Sequence, residues 1–327
     1  MPDFSIGVDL GGTNLRIAAV SAEGQFLEKV TLEANPARGP DSVIDDMCKA
    51  IHRINSQYQR DGKFLGAGIG IPGIIDLELG TVRKSANLPS FSGYPVRAEI
   101  ERRLGAQVFL DNDANFAALG EKWMGAARNV SNMAIITLGT GIGGGIVLND
   151  KIFHGMNGMA GEFGHIPIVM DGLPCGCGSH GCAERYASAS AVMRMAQEEI
   201  ASGHADALAK AATSGGEFNA ATVYKLAMEG DEAAQEIFRK FGTSLGFMLA
   251  GLLNSLNLDM FVIGGGVSSA WDAFAPAMFA ELRMRSLVYA ATDPALGGTG
   301  KMTIITKALL GGDAGLYGAA RVPLVSG

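Results

Sequence analysis

The chain has no run of basic residues: its 26 Lys and Arg are scattered and outnumbered by 33 Asp and Glu, leaving a formal net charge of −7. A nucleic-acid binder needs a concentrated cationic surface to displace counterions, so no nucleic acid is expected as a partner. The opening Met1-Pro2-Asp3-Phe4 lacks the positive region of a secretory signal. Long hydrophobic runs are missing as well. The most apolar stretch, from Phe247 to Gly266, is broken by Asn254, Asn257 and Asp259, so no membrane span is expected. Together these absences point to a soluble protein of the cytoplasm. Cysteine is scarce, at four residues, which argues against a disulfide framework. The Walker A phosphate loop, G-x-x-x-x-G-K-[ST], does not occur.

What is present suits a globular enzyme. At 327 residues the chain exceeds what one hydrophobic core organises, so two domains are expected. Hydrophobic residues make up 48% and charged residues 18%, enough for a sizeable core and too apolar for disorder. Glycine is abundant: the 46 residues are roughly twice the usual share of about 7%. They cluster in short loops between apolar runs, which suggests backbone lying close to a ligand.

Periodicity predicts a mixed α/β chain. Residues 4–9 and 15–20 read as strands flanking the turn Gly11-Gly12-Thr13, and 26–32 as a third strand. A helix is expected over 41–60, with Ser42 and Asp45 as a capping box and Cys48 as core filler. Strands follow at 66–71 and 108–110, and Asp113 opens a helix to about 124. The pattern then recurs: strand 133–138, glycine turn 139–145, strand 146–148. Helices at 187–200 and 232–254, a strand at 260–263, a helix at 273–287, a strand at 302–305 and a helix at 312–320 complete the chain. Two strand–turn–strand units read as an internal duplication, one per domain, with a ligand held between the halves.

The matches to G-x-G-x-x-G at Gly68–Gly73 and Gly139–Gly144 open no helix, so a dinucleotide-binding unit is not expected. The turn in Asp9-Leu10-Gly11-Gly12-Thr13-Asn14-Leu15-Arg16 instead offers backbone amides and the Thr13 hydroxyl to phosphates, with Asp9 placed to hold Mg²⁺ directly or through water. A second clamp is expected in Leu138-Gly139-Thr140-Gly141-Ile142-Gly143-Gly144-Gly145. Leu110-Asp111-Asn112-Asp113-Ala114-Asn115 puts two carboxylates at a strand-to-helix junction, where either could serve chemistry or cap the helix. Cys175, Cys177 and Cys182, with one imidazole, make the ligand set of a structural Zn²⁺ site. His165 and His180 both compete for the fourth position. His52, His154 and His204 show no partner pattern.

D-x-G-G-T-x-x-R, the later L-G-T-G-I-G-G-G and the cysteine cluster together resemble the ROK family of sugar kinases and sugar-responsive repressors, its bacterial glucokinases above all. The resemblance runs from Asp9 to the final helix. It implies an actin/hexokinase-like fold of two ribonuclease-H-like lobes around a central crevice. One lobe is expected over 1–115, completed by 308–327, and the other over 116–307. The implied activity is ATP-dependent phosphorylation of glucose or another hexose at its 6-hydroxyl, with ATP and Mg²⁺, in a homodimer or homotetramer. Asp113 is then the general base and Asn112 a sugar ligand, while Asp111 keeps a capping role. The resemblance implies that Gly73, Asn87, Glu162, His165 and Glu184 line the hexose pocket. It puts adenosine against Gly264-Gly265-Gly266-Val267, and it favours His165 over His180 on zinc. A sugar-sensing repressor is the alternative. It would need a DNA-binding module ahead of Asp9, where the expected fold already starts.

Overall fold

The computed structural model describes residues 3–60 and 62–326. Along the chain run β1 (Phe4–Leu10), β2 (Asn14–Ser21), β3 (Phe26–Glu33), α1 (Pro40–Tyr58), β4 (Phe64–Ile71), β5 (Ile74–Asp76), β6 (Thr81–Lys84), α2 (Val96–Leu104), β7 (Val108–Asn112) and α3 (Asp113–Trp123). Next come β8 (Met133–Leu138), β9 (Ile142–Leu148), β10 (Lys151–Ile152), α4 (Ala189–Ser202), α5 (Asp206–Thr213), α6 (Ala220–Met228) and α7 (Glu232–Leu256). β11 (Met260–Gly264), α8 (Trp271–Arg285), α9 (Leu287–Thr292), β12 (Ile304–Lys307) and α10 (Ala314–Val325) close the sequence.

The expected duplication is visible in the sheets. One has the order β3-β2-β1-β4-β7 and the other β10-β9-β8-β11-β12, so each follows the same plan in chain order. In the first sheet β1–β2 and β2–β3 pair antiparallel, while β1–β4 and β4–β7 pair parallel. The G-x-G-x-x-G matches at Gly68 and Gly139 open no helix; β4 turns into β5, and the second match runs into β9.

The chain forms two compact units. The first comprises Met1–Ile135, Gly145–Gly161 and Leu309–Gly327, and the second Ile136–Gly144 and Glu162–Ala308. This division falls later than a break after residue 115, and the reason is glycine packing within the first unit. A Cβ at Gly120 of α3 would overlap the Ala314 carbonyl of α10, and one at Gly318 would overlap the Phe116 carbonyl. The two helix backbones therefore touch, and α3 stays with α10. Glu121, fully buried on α3, adds to this by accepting from Leu309 N (3.1 Å) and Leu310 N (2.8 Å) as the chain returns.

The first sheet is covered on both faces. Ile6, Val8 and Leu10 of β1 join Val43, Ile44, Met47, Ile51 and Ile54 of α1 in one core. Cys48 belongs to this core, and burial pushes its thiol up to about 11, as expected of core filler. On the opposite face α10 lies directly on Gly7 and Gly68, neighbours in the β1–β4 register. Part of the glycine excess thus serves helix-on-sheet packing rather than ligand approach.

The capping box expected at Ser42 and Asp45 is absent. The helix starts earlier, with Pro40 at its first position after Gly39 and no side-chain cap, because proline needs no amide partner there. The asparagine–threonine box that does form, Asn219 with Thr222, starts α6. Sequence periodicity missed α2, α5 and α6. Each is short and buries only one or two residues, too few to show a repeat. Among the described residues no helix is long and apolar enough to cross a membrane.

Candidate active site

In the first unit the β1–β2 turn holds Gly11, Gly12 and Thr13. Gly11 N donates to Asn14 O (2.8 Å), and Thr13 O accepts from Ala34 N (2.8 Å), so the turn is fixed at both sides while Thr13 stays exposed. Asp9 and Arg16 are cross-strand partners, and the guanidinium forms an ion pair with the Asp9 carboxylate. Arg16 also donates to Gly312 O at 2.5 Å. Arg16 was quoted in the motif without a role. Its signal lies in the spacing, since a hairpin centred between Gly12 and Thr13 puts positions 9 and 16 opposite each other. A Cβ on Gly12 would stand 3.3 Å from Asn87 O, so the glycine turn and the exposed Asn87 loop are neighbours.

The β7–α3 junction is built from three consecutive polar residues. Asn112, not either aspartate, is the N-cap: its Oδ1 accepts from Ala114 N at 2.8 Å, while its Nδ2 donates to Gly73 O at 2.9 Å. Gly73 sits at φ 119°, and a Cβ there would strike Lys84 O, so only glycine fits. Asp113, half-buried, is the first residue of α3, where free helical amides favour a negative charge. The capping role expected for Asp111 is corrected: it is buried inside the junction. Its Oδ1 accepts from Asn112 N (2.7 Å) and Asn115 Nδ2 (2.8 Å), and its Oδ2 lies 2.7 Å from His154 Nε2. That hydrogen bond raises the His154 pKa above its ordinary value near 6.5, against the opposing effect of burial. No sequence pattern pointed to His154, because its partner is 43 residues away.

In the second unit the β8–β9 turn is closed by Gly139 N to Gly141 O (2.9 Å) and tied to α4 by Ser190 Oγ to Thr140 O (2.7 Å). Glu184 lies against this turn. Its Oε2 accepts from Ile142 N at 3.0 Å, and a Cβ at Gly141 would collide with it. A cavity of about 350 Å³ opens beside Thr140 and Gly266, walled by Asn219, which caps α6, Tyr224 of α6 and Phe238 of α7. The α6 residues escaped sequence reading because their helix did. Gly265, at φ 81°, runs so close to Leu138 that a Cβ would clash with its carbonyl.

His165, Cys175, Cys177 and Cys182 converge: one ligand atom from each lies within 4.8 Å of all the others. Cys175 Sγ is 3.7 Å from His165 Nδ1, and Cys177 Sγ is 3.7 Å from Cys182 Sγ. The other imidazole nitrogen, Nε2, lies 3.9 Å from Glu162 Oε2. His180 is outside the cluster, in a short bridge with Pro174. Three thiols and one imidazole at this spacing fit a tetrahedral zinc ion.

Known proteins resemble this chain along nearly its full length. The model of the ROK family matches residues 5–324. A glucokinase of Halalkalibacterium halodurans is 36% identical over 96% of this chain and 92% of its own length. One from Thermotoga maritima is 36% identical over 97% and 96%. The crystal structure of a ROK family glucokinase from Streptomyces griseus in complex with glucose and AMPPNP is 33% identical, covers 98% of each chain and has a TM-score of 0.78.

Proposed function

Since the chain belongs to the ROK family, we propose that it is an ATP-dependent glucokinase that converts glucose to its 6-phosphate. Its fold is of the actin/hexokinase type. Near-full-length likeness to glucokinases supports the activity. One arrangement carries the assignment of roles: Asp113 opens α3 directly after Asn112, whose side chain is pinned to Gly73.

Phosphoryl transfer has a loose transition state, so positioning and charge neutralisation matter more than base strength. The bond from the sugar O6 to the γ-phosphorus forms as the bond from that phosphorus to the bridging oxygen of ADP breaks. The O6 proton passes to Asp113, whose ionised form is favoured at the helix N-terminus. In the first unit Asn112 and Asn87 bind sugar hydroxyls, and Gly73 gives the ring close access to the backbone. The amides of Gly11 and Gly12 and the Thr13 hydroxyl take phosphate oxygens. Arg16 holds one side of Asp9, and Asp9 would hold Mg²⁺, which would neutralise phosphate charge.

In the second unit Glu162 and Glu184 accept from sugar hydroxyls, and His165, with Nδ1 turned to the thiols, donates from Nε2 to one. Thr140 and Gly141 serve the phosphates, and Gly265 and Gly266 border the adenosine, for which the cavity beside Tyr224 has the size. His165, Cys175, Cys177 and Cys182 would hold a structural Zn²⁺, which would fix the orientation of the His165 ring. In this reading the enzyme works in the cytoplasm on hexose and ATP, as a homodimer or homotetramer, with neither nucleic acid nor membrane as partner.

A coupled assay over glucose, fructose, mannose and N-acetylglucosamine, with ATP or polyphosphate as donor, tests the reading. The highest kcat/KM is expected for glucose with ATP. A clear preference for another sugar or donor would reassign the substrate, and no transfer to any sugar would remove the activity.

A further inference from the structure

Asp111 carries a carboxylate with only 6% of its surface exposed, so both oxygens need partners. Oδ1 has two, the Asn112 backbone N–H and the Asn115 amide. For Oδ2 the partner is His154. The Asn112 N–H belongs to the peptide that joins Asp111 to Asn112, and its direction sets the plane from which α3 starts. Asn112 then caps Ala114 N and grips Gly73, and Asp113 follows as the first helical residue. Hydrogen bonds thus lead from an imidazole to Asn112, and the Ala114 N–H that Asn112 caps also donates to Oδ1 of Asp113, the proposed base, at 3.0 Å.

We propose that His154 is a positioning residue for phosphoryl transfer: by holding Asp111 in one orientation it fixes the Asn112 peptide and therefore the aim of Asp113. The inference rests on Asp113 being the base. Residues 153–161 contain no other charged side chain; Met156 is 98% exposed; and Gly155 and Gly158 both adopt positive φ. Ala160 N donates to His154 O at 3.1 Å, folding the segment back on this residue. Without the imidazole, Oδ2 loses its partner in a buried place and the carboxylate is free to rotate, which loosens the Asn112 N–H.

The test compares kcat, both KM values and melting temperature in wild type, His154→Ala, His154→Gln and Asp113→Asn. Misplacing a reacting group by about 1 Å costs on the order of 100-fold. His154→Ala is therefore expected to lower kcat by about 10- to 100-fold, with KM for glucose and ATP within about threefold of wild type. His154→Gln keeps an N–H donor at similar reach and is expected to recover most of the lost turnover. Unchanged kcat in His154→Ala overturns the inference, as does a loss that tracks unfolding and is no smaller in the glutamine variant. If Asp113→Asn turns over normally, the base assignment itself fails. If Asp113→Asn is inactive and His154→Ala is normal, only the positioning role is lost.

Discussion

Arg16 faces Asp9 across the β1–β2 hairpin and closes an ion pair with it, so the carboxylate beside the glycine turn is held by a residue of its own motif. The same guanidinium reaches Gly312 O just ahead of α10. Arg16→Ala removes both anchors and frees Asp9 to swing. We expect kcat/KM for MgATP to fall about 10-fold while KM for glucose changes little. Initial rates with ATP varied at saturating glucose provide the check; an equal effect on both substrates would detach Asp9 from the nucleotide.

Asp113→Asn keeps the shape of the α3 start and removes proton acceptance. Turnover should drop by about 10²–10⁴ with glucose still bound. Calorimetric titration of glucose into the variant, beside the kinase assay, separates binding from chemistry. Near-normal turnover would exclude Asp113 as base.

The metal cluster makes opposite predictions for two histidines. His165 lies among the thiols and His180 does not. His165→Ala should therefore lose zinc and weaken glucose binding together, since its second nitrogen faces Glu162. His180→Ala should retain about one ion per chain, and Cys177→Ala should lose it. Elemental analysis of the purified variants decides. Zinc lost from His180→Ala and kept in His165→Ala would reverse the ligand choice.

Gly68→Ala tests the helix-on-sheet contact. The added methyl would overlap the Ala319 backbone, which cannot move without lifting α10 off the sheet. A loss of about 1–3 kcal/mol is expected from overpacking of this kind. Denaturant unfolding measures it, and an unperturbed midpoint would mean that α10 sits farther from β4.

The His154–Asp111 pair gives stability a definite pH sign. The folded-state pKa of His154 lies above its ordinary value near 6.5. Its contribution is therefore fully present below pH 6.5 and is lost as pH rises through the folded value. Relative to His154→Gln, wild type should gain stability at pH 6 and lose that advantage toward pH 9. Melting temperatures across this range check it; a constant difference would show that the histidine charge is not involved.

The parts of the site that were legible lie close along the chain. Asp9 to Thr13, Asn112–Asp113 and Cys175 to Cys182 each fit within eight residues, and their spacing signals a turn, a helix start or a set of thiols, whereas the choice of His165 over His180 came from the family resemblance. The strand–turn–strand repeat was legible for the same reason, because alternation and glycine turns are local signals.

What remained hidden depends on pairs far apart in sequence. Asp111 meets His154 across 43 residues, Glu121 meets Leu310 across 189, and Ser5 Oγ donates to Ala320 O across 315. No periodicity encodes such partners; they follow from strand order, register and the glycines that let α10 settle on β1 and β4. Local chemistry announced which residues could carry a kinase. Which buried carboxylate holds the backbone beneath the proposed base, and which histidine holds that carboxylate, was decided only when folding set the sheet edge, helix start and returning segment side by side.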